Sequence, residues 1–204
     1  MKNILFVIAF CGMSFCTVAQ TMFSIESGYV GGKRQDFLFD SRGNNVVNNF
    51  PINGINLMLG VEQYFNKKIG LTVGFEYSKV NYNSIFTNQF VINSTGLPIF
   101  TQTKIIETRT SIKGGFVFTV VQKHKLTWKI MPLSNIYIPT FSDNKPQSFF
   151  DDTTFLGFTL KNSLQYRYSD DIQILFTQAY DLSMVFDEDY NRFIFNVGVG
   201  FDLD

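Results

Sequence analysis

Residues 192–203 read R-F-I-F-N-V-G-V-G-F-D-L. Phe193, Phe195, Val197, Val199, Phe201 and Leu203 share one phase; Ile194, Asn196, Gly198, Gly200 and Asp202 share the other. Successive side chains of a strand point to opposite faces, so this stretch is a strand with one apolar side and one mostly small or polar side. The apolar side has the length, ~9–11 residues, that a tilted strand needs to cross a bilayer.

The same period recurs along the chain and predicts eight antiparallel strands. The first covers 22–39, with Phe23, Ile25, Tyr29, Phe37 and Phe39 in phase and a bulge or bend expected at Gly31-Gly32. The second covers 53–65, and the third keeps phase from Ile69 through Tyr77. The fourth covers 104–121. The fifth carries Leu126, Trp128 and Ile130 and is expected to lose regularity around Pro132 and Pro139. The sixth runs from Leu156 to Tyr168, the seventh from Ile172 to Phe186, and the eighth is the stretch above. Connections at 66–68, 122–125 and 169–171 are short, while those at 40–52, 83–103 and 140–153 are long. The last, 187–191, is brief and acidic. Short turns at one end and long loops at the other, with an even strand count, are the pattern of bacterial outer-membrane barrels.

A soluble lipocalin-like barrel also has eight strands but turns its apolar face inward around a ligand. The opposite face decides between the two. It carries Glu26, Arg34, Glu62, Glu76, Glu107, Arg109, Lys113, Lys129, Lys161, Arg167, Asp181 and Asp202, interleaved with Gly, Ser and Thr. Small residues between charges of both signs suit a narrow interior filled by an ion-pair network. The apolar face is almost free of charge, Lys33 and Lys79 excepted. One Arg or Lys at the bilayer midplane of a barrel costs about 2–4 kcal/mol, so a lipid face must be clean. Aromatics near the strand ends (Tyr29, Phe65, Tyr77, Trp128, Phe155, Tyr166, Tyr168, Tyr180) read as interfacial girdles. The expected fold is all-β: an eight-stranded antiparallel up-and-down transmembrane β-barrel with a polar, filled interior.

Residues 1–19 have the form of a secretory signal peptide: Lys2, the apolar run I-L-F-V-I-A-F at 4–10, and the small-x-small site Thr17-Val18-Ala19. Cleavage would leave a single barrel domain, 20–204. A membrane anchor or an acylated Cys11 or Cys16 are the alternatives. Both cysteines fall in the leader, which removes disulfides and thiolate chemistry from the mature chain. With 17 basic and 17 acidic residues there is no basic patch for nucleic acid.

The Thr17-Val18-Ala19-Gln20 leader end, the glycine- and aromatic-rich hairpins and the terminal F-N-V-G-V-G-F-D-L together resemble the small eight-stranded outer-membrane barrels, the OmpA/OmpX/OmpW-like group, in particular its Bacteroidetes-type members. The resemblance covers the whole mature chain. It implies the outer membrane as location, with a periplasmic N-terminus and extracellular long loops. It also implies contact with outer-membrane lipid and lipopolysaccharide, and insertion by the barrel-assembly machinery. Members usually end on an aromatic residue; here Asp204 follows Leu203.

Some barrels of this size are lipid A deacylases or acyltransferases that use a His with Ser and an acid near the outer leaflet. The one histidine, His124, falls in the turn 122–125, on the periplasmic side. A general base must reach the proton it removes, so this position argues against an enzyme. No cofactor is expected and no metal site: Asp151-Asp152 and Asp187-Glu188-Asp189 are oxygen-rich but lack EF-hand spacing. Asp152-Thr153-Thr154 matches a short O-glycosylation pattern. The function expected is a structural, adhesion or docking role. A protein partner would meet loop 83–103, where Ile85, Phe86, Phe90, Leu97 and Phe100 stand among Asn, Thr and Gln; the stretch reads equally as an extension of the third and fourth strands above the membrane. A lipid-modifying enzyme and a conduit for small hydrophobic molecules are the alternatives.

Overall fold

The computed structural model describes residues 20–39, 45–92, 98–141, 154–183 and 190–203. The predicted leader therefore lies outside the described residues, as do the acidic pair at 151–152, the acidic run at 187–189 and the threonine at 153. The elements are β1 (Thr21–Phe39), β2 (Asn45–Tyr64), β3 (Ile69–Ile92), β4 (Pro98–Lys123), β5 (Leu126–Phe141), β6 (Phe155–Arg167), β7 (Ile172–Ser183) and β8 (Tyr190–Leu203). Each pairs antiparallel with the next, and β8 returns to β1, with Ser27 opposite Val197, to close the barrel. Closure leaves no sheet edge in the barrel wall, which is the condition for a strand structure in lipid.

The turns follow from local chemistry. At 65–68 the Asn66 side chain accepts from the backbone N–H of Lys68 (2.8 Å) and Ile69 (2.9 Å), an Asx-type turn. His124 adopts φ 52° in the two-residue turn between β4 and β5, a conformation that a tight hairpin needs.

Alternation sorts the side chains. The outer wall is a belt of Ile, Leu, Val and Phe, including Val73 (60% exposed), Phe116 and Val197 (57%). The inner wall holds the buried charges. Where β8 meets β1 the two backbones run very close. A Cβ built at Gly28 would overlap the carbonyl oxygen of Phe195, and one at Gly198 would overlap that of Ile25. A barrel of this few strands curves tightly, and these glycines admit the approach. Gly28→Ala is expected to lower stability by about 1–3 kcal/mol, the usual range for overpacking. Urea titration of the lipid-reconstituted barrel, followed by tryptophan fluorescence, checks this.

Three expectations change. First, β1 keeps an unbroken register with β2 from Thr21 to Phe39, so no bulge occurs at Gly31-Gly32. Gly31 lies on the outer phase, and the Tyr29 ring folds over it. Among the described residues register shifts fall instead near the tip of the β3–β4 hairpin, between Asn88 and Ile92, and in β4, where Thr119 pairs Lys129 and Val121 pairs Trp128, so that Val120 is the additional residue.

Second, β5 stays a strand through both prolines. Pro132 donates no hydrogen bond, and the ladder to β4 skips from Gly115–Leu133 to Phe118–Ile130 around it. Pro139 lies beyond the last β5–β6 pair, Tyr137–Phe155, so an absent N–H costs nothing on that side.

Third, the described parts of the predicted loops 40–52 and 83–103 are strand. β2 begins at Asn45, eight residues before the predicted 53. β3 and β4 extend to Ile92 and from Pro98, which turns the predicted loop 83–103 into a tall hairpin. Ile85, Phe86 and Phe90 are thus strand residues of β3 and Phe100 of β4, while Leu97 lies outside the described residues.

Candidate functional site

The lumen is built from ten buried charges among the described residues. The acids are Glu26, Glu62, Glu76, Glu107 and Asp181; the bases are Arg109, Lys113, Lys129, Lys161 and Arg192. Each has an opposite charge within 3.0 Å. Burying an unpaired ion is so unfavourable that this one-to-one balance is what makes the interior possible.

The pairs form tiers. Nearest the short turns, Lys129 meets Glu62 at 2.7 Å, and the Tyr64 hydroxyl donates to the same carboxylate at 2.6 Å. The Lys129 ammonium also stands 4.7 Å from the centre of the Tyr64 ring. One level further in, Lys161 of β6 reaches Glu26 of β1 at 2.6 Å, and the Thr177 hydroxyl donates to the other oxygen of Glu26 at 2.6 Å.

The third tier joins four strands. Lys113 of β4 bridges Glu76 of β3 (2.8 Å) and Asp181 of β7 (3.0 Å). Arg192 of β8 bridges the same two carboxylates at 3.4 and 2.9 Å and donates to the Ser78 hydroxyl at 3.0 Å. The Thr159 hydroxyl donates to Asp181, and the Asn135 amide lies between Thr159 and Tyr137. In the fourth tier Arg109 pairs with Glu107 at 2.7 Å, its guanidinium 4.9 Å from the centre of the Tyr137 ring.

Nine of the residues picked from the sequence therefore lie buried in the lumen. Asp202 and Arg167 are half-buried at the short-turn end, where Gln173 donates to Asp202 at 2.7 Å. Arg34 sits in β1 opposite Phe50 and Tyr190, and its side chain is outside the description. The sequence reading missed Arg192, the largest fully buried side chain. Its signal was its phase: it is two residues before Ile194, on the inward face of β8. It also missed the apolar part of the interior. Val30, Ile52, Val80, Tyr82 and Ile105 form a cluster with Ala179 and Ile194, and Val117, Met131 and Leu133 form another with Tyr64. Apolar side chains are thus interleaved with the ion-pair tiers: Met131 and Leu133 lie on β5 between Lys129 and Asn135, and Ala179 lies on β7 between Thr177 and Asp181.

At the short-turn end the barrel opens into a cavity of about 580 Å³, lined by Gln165, Arg167, Gln173 and Asp202 among others, with Lys129 and Tyr64 at its floor. His124 is exposed in the turn at this same end and does not line the cavity. Among the described residues no group of three or more His, Cys, Asp or Glu gathers as metal ligands would. The chemistry the lumen performs is cohesion: carboxylates and cations on opposite walls are tied across the axis at successive heights.

No family model matches the sequence, and no curated protein matches it. Solved structures do. Neisserial surface protein A superposes with a TM-score of 0.55 at 10% identity, over 91% of this chain and 99% of that one. The outer membrane protein OprG from Pseudomonas aeruginosa superposes with a TM-score of 0.59 at 10% identity, over 89% and 95%. The fold is that of the small eight-stranded outer-membrane β-barrels.

Proposed function

We propose that the protein is an integral outer-membrane barrel without catalytic activity, which works as a docking or adhesion surface outside the cell. The observation that carries this reading is the unequal height of the wall. β3 and β4 have 24 and 26 residues, whereas β6 and β7 have 13 and 12. A tilted strand climbs about 2.6 Å per residue, so roughly ten residues suffice for the ~25 Å apolar band. The surplus forms hairpins. β3 pairs with β2 only as far as Asn81, and β4 meets β5 only from Glu107 onward. Beyond those points, among the described residues, the β3–β4 hairpin pairs only within itself, and from residue 80 to 103 the chain contains no charged residue. An uncharged hairpin that mixes Asn, Thr and Gln with Ile and Phe, held away from the membrane, suits contact with another protein or a glycan better than it suits solvation.

Other features point the same way. The apolar belt faces outward and the ions inward, which is the arrangement for lipid. The tiers of ion pairs and the apolar side chains between them fill the lumen, which disfavours a conduit. The histidine lies in a solvated turn, far along the wall from the hairpin. On this reading residues 1–19 direct export, the short turns face the periplasm, and the belt meets phospholipid and lipopolysaccharide after insertion by the barrel-assembly machinery.

An epitope inserted between residues 93 and 97 tests it. Expected is labelling on intact cells, heat-modifiable migration on SDS gels and negligible conductance in planar bilayers. Labelling only after permeabilisation of the outer membrane would overturn the orientation, and recovery from the periplasm without detergent would overturn the location. Trimming 84–103 to a short turn should leave the barrel folded while abolishing capture of whatever wild-type protein retains from native membranes.

A further inference from the structure

Among the described residues the outer wall carries two carboxamide side chains side by side between its aromatic girdles. Asn162 of β6 and Gln178 of β7 stand directly opposite each other in the ladder, and both point outward. Gln178 is six residues above the start of β7 at Ile172, which at about 2.6 Å per residue sets it roughly 16 Å above the short-turn end, near the middle of the ~25 Å band. Leu160, Leu164, Phe176 and Phe195 surround the two amides. Among the described residues neither amide side chain makes a hydrogen bond. Each has two donor hydrogens and an acceptor oxygen, and one bond between them would still leave most of these unmade. Water, which satisfies such groups elsewhere, is absent from the hydrocarbon layer.

The adjoining wall adds an independent feature. Gly114 and Ser134 pair across β4 and β5, and Pro132 follows one pair lower beside Leu160. These small outward residues make a shallow dip in a belt otherwise built of Leu, Ile, Val and Phe. Small side chains let two membrane-embedded backbones approach closely, and neighbouring amides then bond across the contact.

We propose that this wall, β5 to β7, is a dimer interface in the membrane and that its occupant is a second copy of the chain. The inference rests on the membrane reading given above. Amides are self-complementary, since each donates and accepts. Two copies inserted in one bilayer share the same orientation, so their two-fold axis lies along the membrane normal. Such an axis keeps every residue at its own height and turns the same wall of each copy toward the other, so mid-membrane amides meet mid-membrane amides. An unrelated partner would need its own polar group at that depth.

Disulfide trapping tests this in outer membranes containing the mature chain, which lacks the leader's Cys11 and Cys16. Leu164→Cys on the proposed wall should form a disulfide-linked homodimer at least tenfold more than Val73→Cys on the far side of the barrel. Adding Asn162→Leu and Gln178→Leu to Leu164→Cys should abolish that product while heat-modifiable migration is kept. Equal trapping at the two positions, persistence of the dimer in the leucine background, or trapping to a different protein would each overturn the proposal. A carbonate wash separates this outcome from failure of the membrane reading. Protein that washes off refutes the membrane, whereas protein that stays but yields no dimer refutes only the interface.

Discussion

Arg192→Met is expected to lower the unfolding free energy of the barrel by about 3–5 kcal/mol, the usual cost of removing one partner from a buried ion pair. The methionine fills most of the volume, so the loss is electrostatic. Without the guanidinium, Glu76 and Asp181 share Lys113 as their close cation, two carboxylates against one ammonium in a dry interior. Urea titration in lipid vesicles, read by the heat-modifiable gel shift, measures it. Asp181→Asn in the same chain restores the count to one acid and one base at this tier. The double variant should therefore regain a large part of the loss, and the double-mutant cycle should show a coupling above about 1 kcal/mol, as neighbours in one network do. Additive losses from the two substitutions would mean that Arg192 acts by packing alone.

Val197→Arg should block assembly outright or cost about 2–4 kcal/mol in the fraction that inserts. Val197 is on the outer phase of β8, opposite Ser27 on one side and Phe176 on the other, six residues above Leu203. That is again close to mid-band, too deep for a guanidinium to reach either interface easily. Asp202→Asn, only five residues away but half-buried at the open end, should cost no more than about 1 kcal/mol. It removes the charge from one hydrogen bond to Gln173 and leaves an amide oxygen to accept it. The pair of measurements also fixes the register. A one-residue slip of β8 would exchange the two faces and with them the two results.

Much of this architecture could be read from alternation, because a wall between lipid and a packed lumen forces it. Wherever a strand crosses the membrane, one face must be apolar, and the phase of Val197 or Leu164 tells which. The same rule identifies Lys113, Glu76 and Asp181 as inward residues. It does not say whom they meet. Lys113 and Asp181 are 68 positions apart and Arg192 and Glu76 are 116 apart, and those encounters depend on strand tilt and stagger, which leave no local trace. Arg192 went unrecognised because it stands at the edge of a phase otherwise filled by Ile, Asn and Gly. The β3–β4 hairpin was legible only as one of two equal readings of residues 83–103, for the opposite reason. Beyond the membrane no face has to be apolar, so N-S-I-F-T-N-Q-F-V-I has strand-forming residues but no period, and pairing with residues 98–104 alone holds it extended. Asn162 and Gln178 were legible as outward amides, but only the ladder sets them side by side.

The distribution of ions along the strands bears on how the last step of folding is policed. Among the described residues, Glu76 of β3, Lys113 of β4 and Asp181 of β7 meet in one tier, and β8 supplies its second cation, Arg192. Until β8 is in place this tier sets two carboxylates against one ammonium. Only the correct final strand, in the correct register, neutralises it: shifted by one residue, β8 would present Arg192 to lipid and leave Asp181 short of a counter-ion. Charge balance at this tier therefore favours closure in the correct register over any closure that merely satisfies the backbone.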